Sequence, residues 1–310
     1  MSTHHGYGPV VNGTQIVFYE YRPNKAAGFV FVALFGVVTV AHILSSLITL
    51  RAWHFIPFIF GGICTHALYI SPPVCHERSP QFLTLTIIGE TFGYYGRAAS
   101  ASDPAKTGPF VLQTILLLVA APLLAATIYM TAGRTITALD GQHHSWISPR
   151  WMTKIYVFVD IACILTQFMG AGMMTSGDPS KMAESKALIV GGLLTQLGAV
   201  AVFIFTCGYV HYRLRLACVA VSLPWERVFV AIEIVAVLLL VRSVVRAFEY
   251  LQGSGGFVVS HEAFIYAFDA LPMWVMMALL LVFHPQRVVR EAGRLKGNVW
   301  DDGHVLLVNR

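Results

Sequence analysis

The chain reads as an all-α integral membrane bundle of seven transmembrane helices, with its N-terminus outside and its C-terminus in the cytosol. Composition and the spacing of apolar runs predict the class, and the placement of Lys and Arg predicts the orientation. Of 310 residues only 12% are charged, 56% are hydrophobic, and the mean hydropathy is +0.66. A soluble domain carries about 25% charged residues. Half that charge leaves too little polar surface to coat a water-soluble globule, so lipid is the natural solvent.

A helix crosses the hydrocarbon layer with about 20 apolar residues. Runs of that kind occur at 27–50, 109–132, 154–175, 187–210, 228–249 and 262–284. The organisation is then an extracellular tail at 1–25, a membrane domain at 26–285 and a cytosolic tail at 286–310. With the N-terminus outside, the cytosolic side holds Arg51, Arg134, Arg150, Lys154, Arg213, Arg215, Arg227, Arg287, Arg290, Arg294, Lys296 and Arg310. The outer side holds Arg22, Lys25, Arg78, Arg97, Lys106, Lys181 and Lys186. The cationic bias toward the cytosol sets the orientation. Asn12-Gly13-Thr14 is a glycosylation sequon on the outer tail, compatible with that orientation.

The second span is split. Residues 53–64 and 90–98 are each too short to cross, and 65–89 between them holds three prolines, two histidines, Glu77 and Arg78. A lipid-facing helix does not accept that composition. One reading makes 53–70 and 82–98 two separate spans, which gives eight helices, puts the later basic clusters outside and is disfavoured for that reason. A second hangs 65–89 as a loop from a broken helix. A third takes 65–89 as a translated intron: Cys64 admits a GT donor, Ile88-Gly89 admits an AG acceptor, and removal is in frame.

Several function classes are excluded or weakened. The net charge of +5 sits in short clusters between apolar runs, which is a topology signal and not a nucleic-acid footprint. No P-loop, GxGxxG or kinase signature is present, so the chain has no ATPase of its own and no cofactor is implied. The five cysteines, Cys64, Cys75, Cys163, Cys207 and Cys218, form no CxxC pair and no zinc spacing, and read as small apolar residues. The histidines His42, His143, His144, His211 and His284 form no HxxxH, which weakens a metal-dependent lipid hydrolase; no metal site is expected.

The residues resemble the fungal lipid-translocating exporter family, named for resistance to aminocholesterol and other membrane toxicants and including a sphingoid long-chain-base exporter. The resemblance covers roughly residues 19–287. It rests on Tyr21-Arg22-Pro23, Glu90 with Gly93-Tyr94-Tyr95-Gly96-Arg97, and Ser148-Pro149-Arg150-Trp151 leading to Asp160 and Gln167-Phe168-Met169-Gly170-Ala171-Gly172. Gly191-Gly192 and Gln196 follow, then the run from Val241 to Tyr250, Gly253, Gly256, Glu262, Tyr266, Phe268-Asp269 and His284-Pro285. The family pattern lacks the 65–89 segment, which favours the intron reading. The resemblance implies a seven-helix protein, lodged in the plasma membrane, that moves amphiphilic lipids such as sphingoid bases or confers toxicant resistance. The alternative function is a seven-helix sensor for lipid or stress signals.

Charged groups inside a bilayer cost about 2.5–3.5 kcal/mol each on insertion scales, so they persist when paired or when facing a polar cavity. The candidates for binding an amphiphile's head group are Glu90, Arg97, Asp160, Gln167, Gln196, Arg242, Arg246, Glu249, Glu262 and Asp269. Arg242, Arg246 and Glu249 fall at i, i+4 and i+7, on one helix face. Asp160 and Gln167 are seven apart, and so are Glu262 and Asp269. The spacing predicts a buried polar network joining the second, fourth, sixth and seventh helices in the outer half. Carboxylates suit an ammonium and arginines suit a phosphate; the competing role is mutual pairing that fixes helix packing. Gly170, Gly172, Gly191 and Gly192 are expected to permit close helix approach. Pro57, Pro122 and Pro272 are expected to kink their spans, and Tyr94, Tyr95, Trp151, Trp225 and Tyr250 to form interface belts.

Overall fold

The computed structural model describes residues 7–8, 10–11, 14–15, 19, 21–50, 79–139, 141–174, 179–217, 225–252, 256–257 and 261–283. Among these, seven long helical segments run in chain order. They are α1 (Lys25–Leu50), α2 (Ser79–Ser100), α3 (Thr107–Ala138), α4 (Pro149–Met174), α5 (Pro179–Leu216), α6 (Trp225–Gln252) and α7, which starts at Glu262 and ends at Phe283. A two-residue antiparallel hairpin, Val10–Val11 with Thr14–Gln15, precedes them. Asn12, the glycosylation candidate, lies outside the described residues, as do Pro57, 53–64 and the tail 286–310.

Local chemistry sets several helix starts. The Asn24 side chain accepts hydrogen bonds from the backbone N–H groups of Ala26 (2.9 Å) and Ala27 (3.3 Å), which caps α1. Proline, whose missing N–H has no intrahelical role at the first position, opens both α4 and α5. All but α2 are long and apolar enough to cross a membrane. At 22 residues α2 has the length, about 33 Å at 1.5 Å per residue. Its Glu90, Arg97 and four small or hydroxylic residues at the C-terminal end dilute its apolar character.

The second helix corrects the expected split span. Residues 79–89, assigned to an insertion, form the first half of α2, continuous with 90–100. The run Leu83, Ile87 and Ile88 supplies the apolar character that 90–98 lacks, and Ile87 is fully buried. This helix coincides with 82–98 of the disfavoured eight-span alternative; its partner 53–70 lies outside the described residues.

Successive helices pack on one another and α7 returns to α1, while α3 also touches α5 and α6. The third helix is therefore the central post, buried on several faces through Leu117, Ala121, Leu124, Ala125, Ile128 and Ala132. Small residues set the spacing. A Cβ on Gly96 would lie 3.0 Å from the Pro109 carbonyl oxygen, and one on Gly192 would lie 2.7 Å from Thr166 Oγ1. Gly170 likewise presses on Ile189 and Ser185, whereas Gly172 and Gly191 face open space. One glycine of each predicted pair thus serves close approach. The outside of the ring carries Val37, Phe158, Leu165, Phe205, Phe248 and Val282, each more than half exposed. An apolar exterior around a buried polar interior is the arrangement lipid solvent demands; the chain is a multi-pass membrane protein.

Candidate functional site

Two ion clusters occupy the end of the bundle that also holds the N-terminal tail. The first is built on α6 and α7. Arg242 and Arg246, one turn apart, both reach Asp269: Arg242 Nε lies 2.6 Å from Oδ1, and Arg246 Nη2 lies 3.1 Å from Oδ2. The Arg242 contact is close but not aligned as a hydrogen bond, since Nε has no acceptor in line. Its Nη2 donates to the Leu117 carbonyl on α3 (3.3 Å). Arg246 also pairs with Glu249 at 3.5 Å, as the i, i+3 spacing allows. Tyr94 of α2 donates to Asp269 Oδ2 (3.3 Å).

Asp269 is aimed by a feature the sequence pattern concealed. Residues Tyr266–Ala270 form a single π turn within α7, ahead of Pro272. Proline lacks an N–H and its ring crowds the carbonyl four residues earlier, here Phe268, and a widened turn relieves that clash. The extra residue rotates the helix, so Glu262 and Asp269 do not serve one cluster as their seven-residue spacing predicted. Asp269 meets α6, and Glu262 meets α2.

Glu262 centres the second cluster. Arg97, 1% exposed, donates from Nη2 to Tyr21 Oη (2.6 Å) and Glu262 Oε1 (3.2 Å), and from Nε to Tyr266 Oη (3.1 Å). Its guanidinium also lies over the Tyr21 and Tyr266 rings, 5.7 and 5.4 Å from their centroids. Tyr266 donates to Glu262 as well (3.1 Å), and the Asn24 backbone N–H donates to both Glu262 oxygens (2.9 and 3.0 Å). Glu262 thus ties the N-terminus of α1 to α2 and α7. The tyrosines and Asn24 were missed from sequence; the Tyr-Arg-Pro motif directly before α1 was the available signal.

Glu90 lies between these groups and behaves differently from both. It is fully buried, its charge is felt by Arg242, Asp269 and Arg246, and among the described residues neither carboxyl oxygen has a hydrogen-bond partner. Three carboxyl groups, Glu90, Glu249 and Asp269, therefore face two guanidiniums. Stacked rings line the same region: Phe31 on Tyr266 (5.1 Å) and Phe35 on Tyr94 (5.4 Å). Tyr94 and Trp225 are buried, which corrects their assignment to interface belts; Tyr95 and Trp151 are exposed and fit it.

The remaining candidates stand apart. Gln167 donates to Gln196 (3.4 Å) across α4 and α5. Asp160 on α4 faces the Tyr129 hydroxyl of α3, but among the described residues neither of its oxygens has a partner in hydrogen-bond geometry. Among the described residues no hydrogen bond or ion pair joins these three to the arginine clusters, so the expected network spans α2, α6 and α7, with α3 and the N-terminal segment, and not α4. A further pair, His211 Nδ1 to Glu233 Oε1 (2.8 Å), bridges α5 and α6. Cys163 and Cys207 are buried and free. Among the described residues no three His, Cys, Asp or Glu side chains are placed to hold a metal.

Comparison with known proteins places this architecture. The family described as "RTA1 like protein" matches residues 83–292, beginning within α2. The "Protoporphyrin uptake protein 1" of Saccharomyces cerevisiae is 34% identical over 298 residues, covering 92% of this chain and 94% of the relative. The "Probable lipid transporter atnI" of Emericella nidulans is 25% identical, covering 87% and 68%. The "Sphingoid long-chain base transporter RSB1" of Saccharomyces cerevisiae is 20% identical, covering 85% and 72%. No solved structure matches. The expected resemblance to the fungal lipid-translocating proteins holds: the chain belongs to the RTA1-like family of multi-pass membrane proteins.

Proposed function

We propose that the protein moves amphiphilic molecules with ionic head groups across the plasma membrane, from the cytosolic toward the outer leaflet, and that it is not an enzyme. The observation that carries this reading is the mixed-charge centre of Glu90, Arg242, Arg246, Glu249 and Asp269 buried within an apolar ring of helices. Burying such groups is costly, and a purely structural cluster would satisfy every member. Glu90 is left unsatisfied. Its carboxylate suits the ammonium of a sphingoid base, and the arginines suit a phosphate or carboxylate on the same or another cargo. The names of the relatives, which include a sphingoid base transporter and a protoporphyrin uptake protein, support the class of cargo. Arg97, Glu262 and the two tyrosines hold the helix ends around that centre. Asp160, Gln167 and Gln196 belong to the opposite side of the bundle and do not touch the head group. With the N-terminus outside, as the cationic bias favours, the centre lies in the outer half of the bundle.

The test is leaflet movement in liposomes of a fluorescent sphingoid base and, separately, of protoporphyrin. Movement above protein-free vesicles that falls in Glu90→Gln supports the reading. Ligand-dependent binding of a protein partner without any leaflet movement would instead establish the sensor.

A further inference from the structure

The side of the bundle formed by α3, α4 and α5 holds a second polar centre that the head-group reading does not use. Asp160 is 2% exposed, Tyr129 is fully buried and Tyr156 is 5% exposed. Among the described residues, neither Asp160 oxygen nor either tyrosine hydroxyl has a partner in hydrogen-bond geometry. The groups are neighbours all the same: the Tyr129 hydroxyl faces Asp160, and the two tyrosine rings lie 5.0 Å apart with Phe203 of α5 against both. The titratable groups facing Asp160 are Tyr129 from α3 and Cys163 from its own helix; Thr206 from α5 lies beside the Tyr156 hydroxyl. No ion pair reaches Asp160 among the described residues. Asp269, by contrast, is clamped by two guanidiniums.

From this buried, unclamped carboxyl among unpartnered hydroxyls we infer that Asp160 is a proton-carrying site, through which a proton gradient drives the transport proposed above. The chemistry is one O–H bond made and later broken. The carboxylate takes a proton from one aqueous side, and the acid gives it up to the other. Phenolic hydroxyls rotate freely and both donate and accept. In the charged form Tyr129 turns to donate to Asp160; in the acid form Asp160 donates to the Tyr129 hydroxyl. The direction of hydrogen bonding between α3 and α4 therefore reverses with each proton. The inference rests on the transport reading for what the proton drives, but not for whether Asp160 binds it.

Two measurements on the full chain in lipid separate these points. Infrared difference spectra across pH should show the carbonyl stretch of a protonated carboxylic acid, lost in Asp160→Asn and shifted in Tyr129→Phe. In liposomes loaded with a fluorescent sphingoid base, an imposed pH gradient should accelerate movement in wild type. That acceleration should vanish in Asp160→Asn and return in Asp160→Glu, with gradient-free movement retained. Absence of a titrating Asp160 band overturns the proton site. A titrating band with movement indifferent to the gradient, or full acceleration in folded Asp160→Asn, overturns the coupling. Lipid movement absent from wild type while the band titrates counts against transport itself, and so against what the proton drives.

Discussion

Replacing Asp269 by Asn tests how firmly the arginine pair depends on one carboxylate. The side chains of Arg242 and Asp269 are 5% and 7% exposed, so neither has water to fall back on. Removing one member of a buried ion pair costs about 3–5 kcal/mol, because the other charge is left uncompensated. Arg246 softens the loss, since it is 26% exposed and keeps Glu249 at 3.5 Å. Arg242 keeps only the Leu117 carbonyl and the field of Glu90. The expected cost is therefore near the lower limit, about 3 kcal/mol, or roughly a hundredfold in the unfolding equilibrium. Unfolding by SDS in mixed micelles reads it. Adding Arg242→Met to Asp269→Asn removes the stranded cation and should recover about 2 kcal/mol. A coupling between the two substitutions below about 0.5 kcal/mol would refute the argument that Asp269 holds Arg242.

Arg97→Lys should cost about 2–3 kcal/mol in the same assay, because a single ammonium cannot reproduce the fork onto Tyr21, Glu262 and Tyr266 or the ring contacts. Gly96→Ala should cost about 1–3 kcal/mol, since its Cβ would meet the backbone of Pro109 and Gln113 at 3.0 and 3.2 Å. Gly36→Ala, with nothing within 4 Å, should be neutral or stabilise by up to about 1 kcal/mol, as read by unfolding. Sequencing the mature transcript should show the codons for 79–89 retained in the dominant message, since these residues form the first half of α2 and the family match begins at residue 83; a dominant message lacking 65–89 would restore the intron reading.

What the sequence disclosed follows from the range of each interaction. Six apolar runs were legible because hydropathy is a sum over about 20 residues and needs no knowledge of neighbours. The face shared by Arg242, Arg246 and Glu249 was legible because helical spacing alone aligns them. The second helix was not, since 53–64 and 79–89 are both apolar enough to precede Glu90 and periodicity cannot rank them. Nor was the fate of Glu262 and Asp269, because a π turn before Pro272 breaks the seven-residue phase. Tyr21 and Asn24 were hidden for another reason. Their partners, Arg97 and Glu262, lie far along the chain, and only the closure of the ring between α1 and α7 brings them together.

The central claim is that a buried mixed-charge centre reads the head group of an amphiphile and lets it cross the bilayer. Leaflet movement of a fluorescent sphingoid base in liposomes, wild type against Glu90→Gln, tests it most directly. The account predicts movement above protein-free vesicles for wild type and a fall of at least about tenfold for the variant, the loss of one charge-assisted contact. Equal movement by wild type and a correctly folded Glu90→Gln would contradict it.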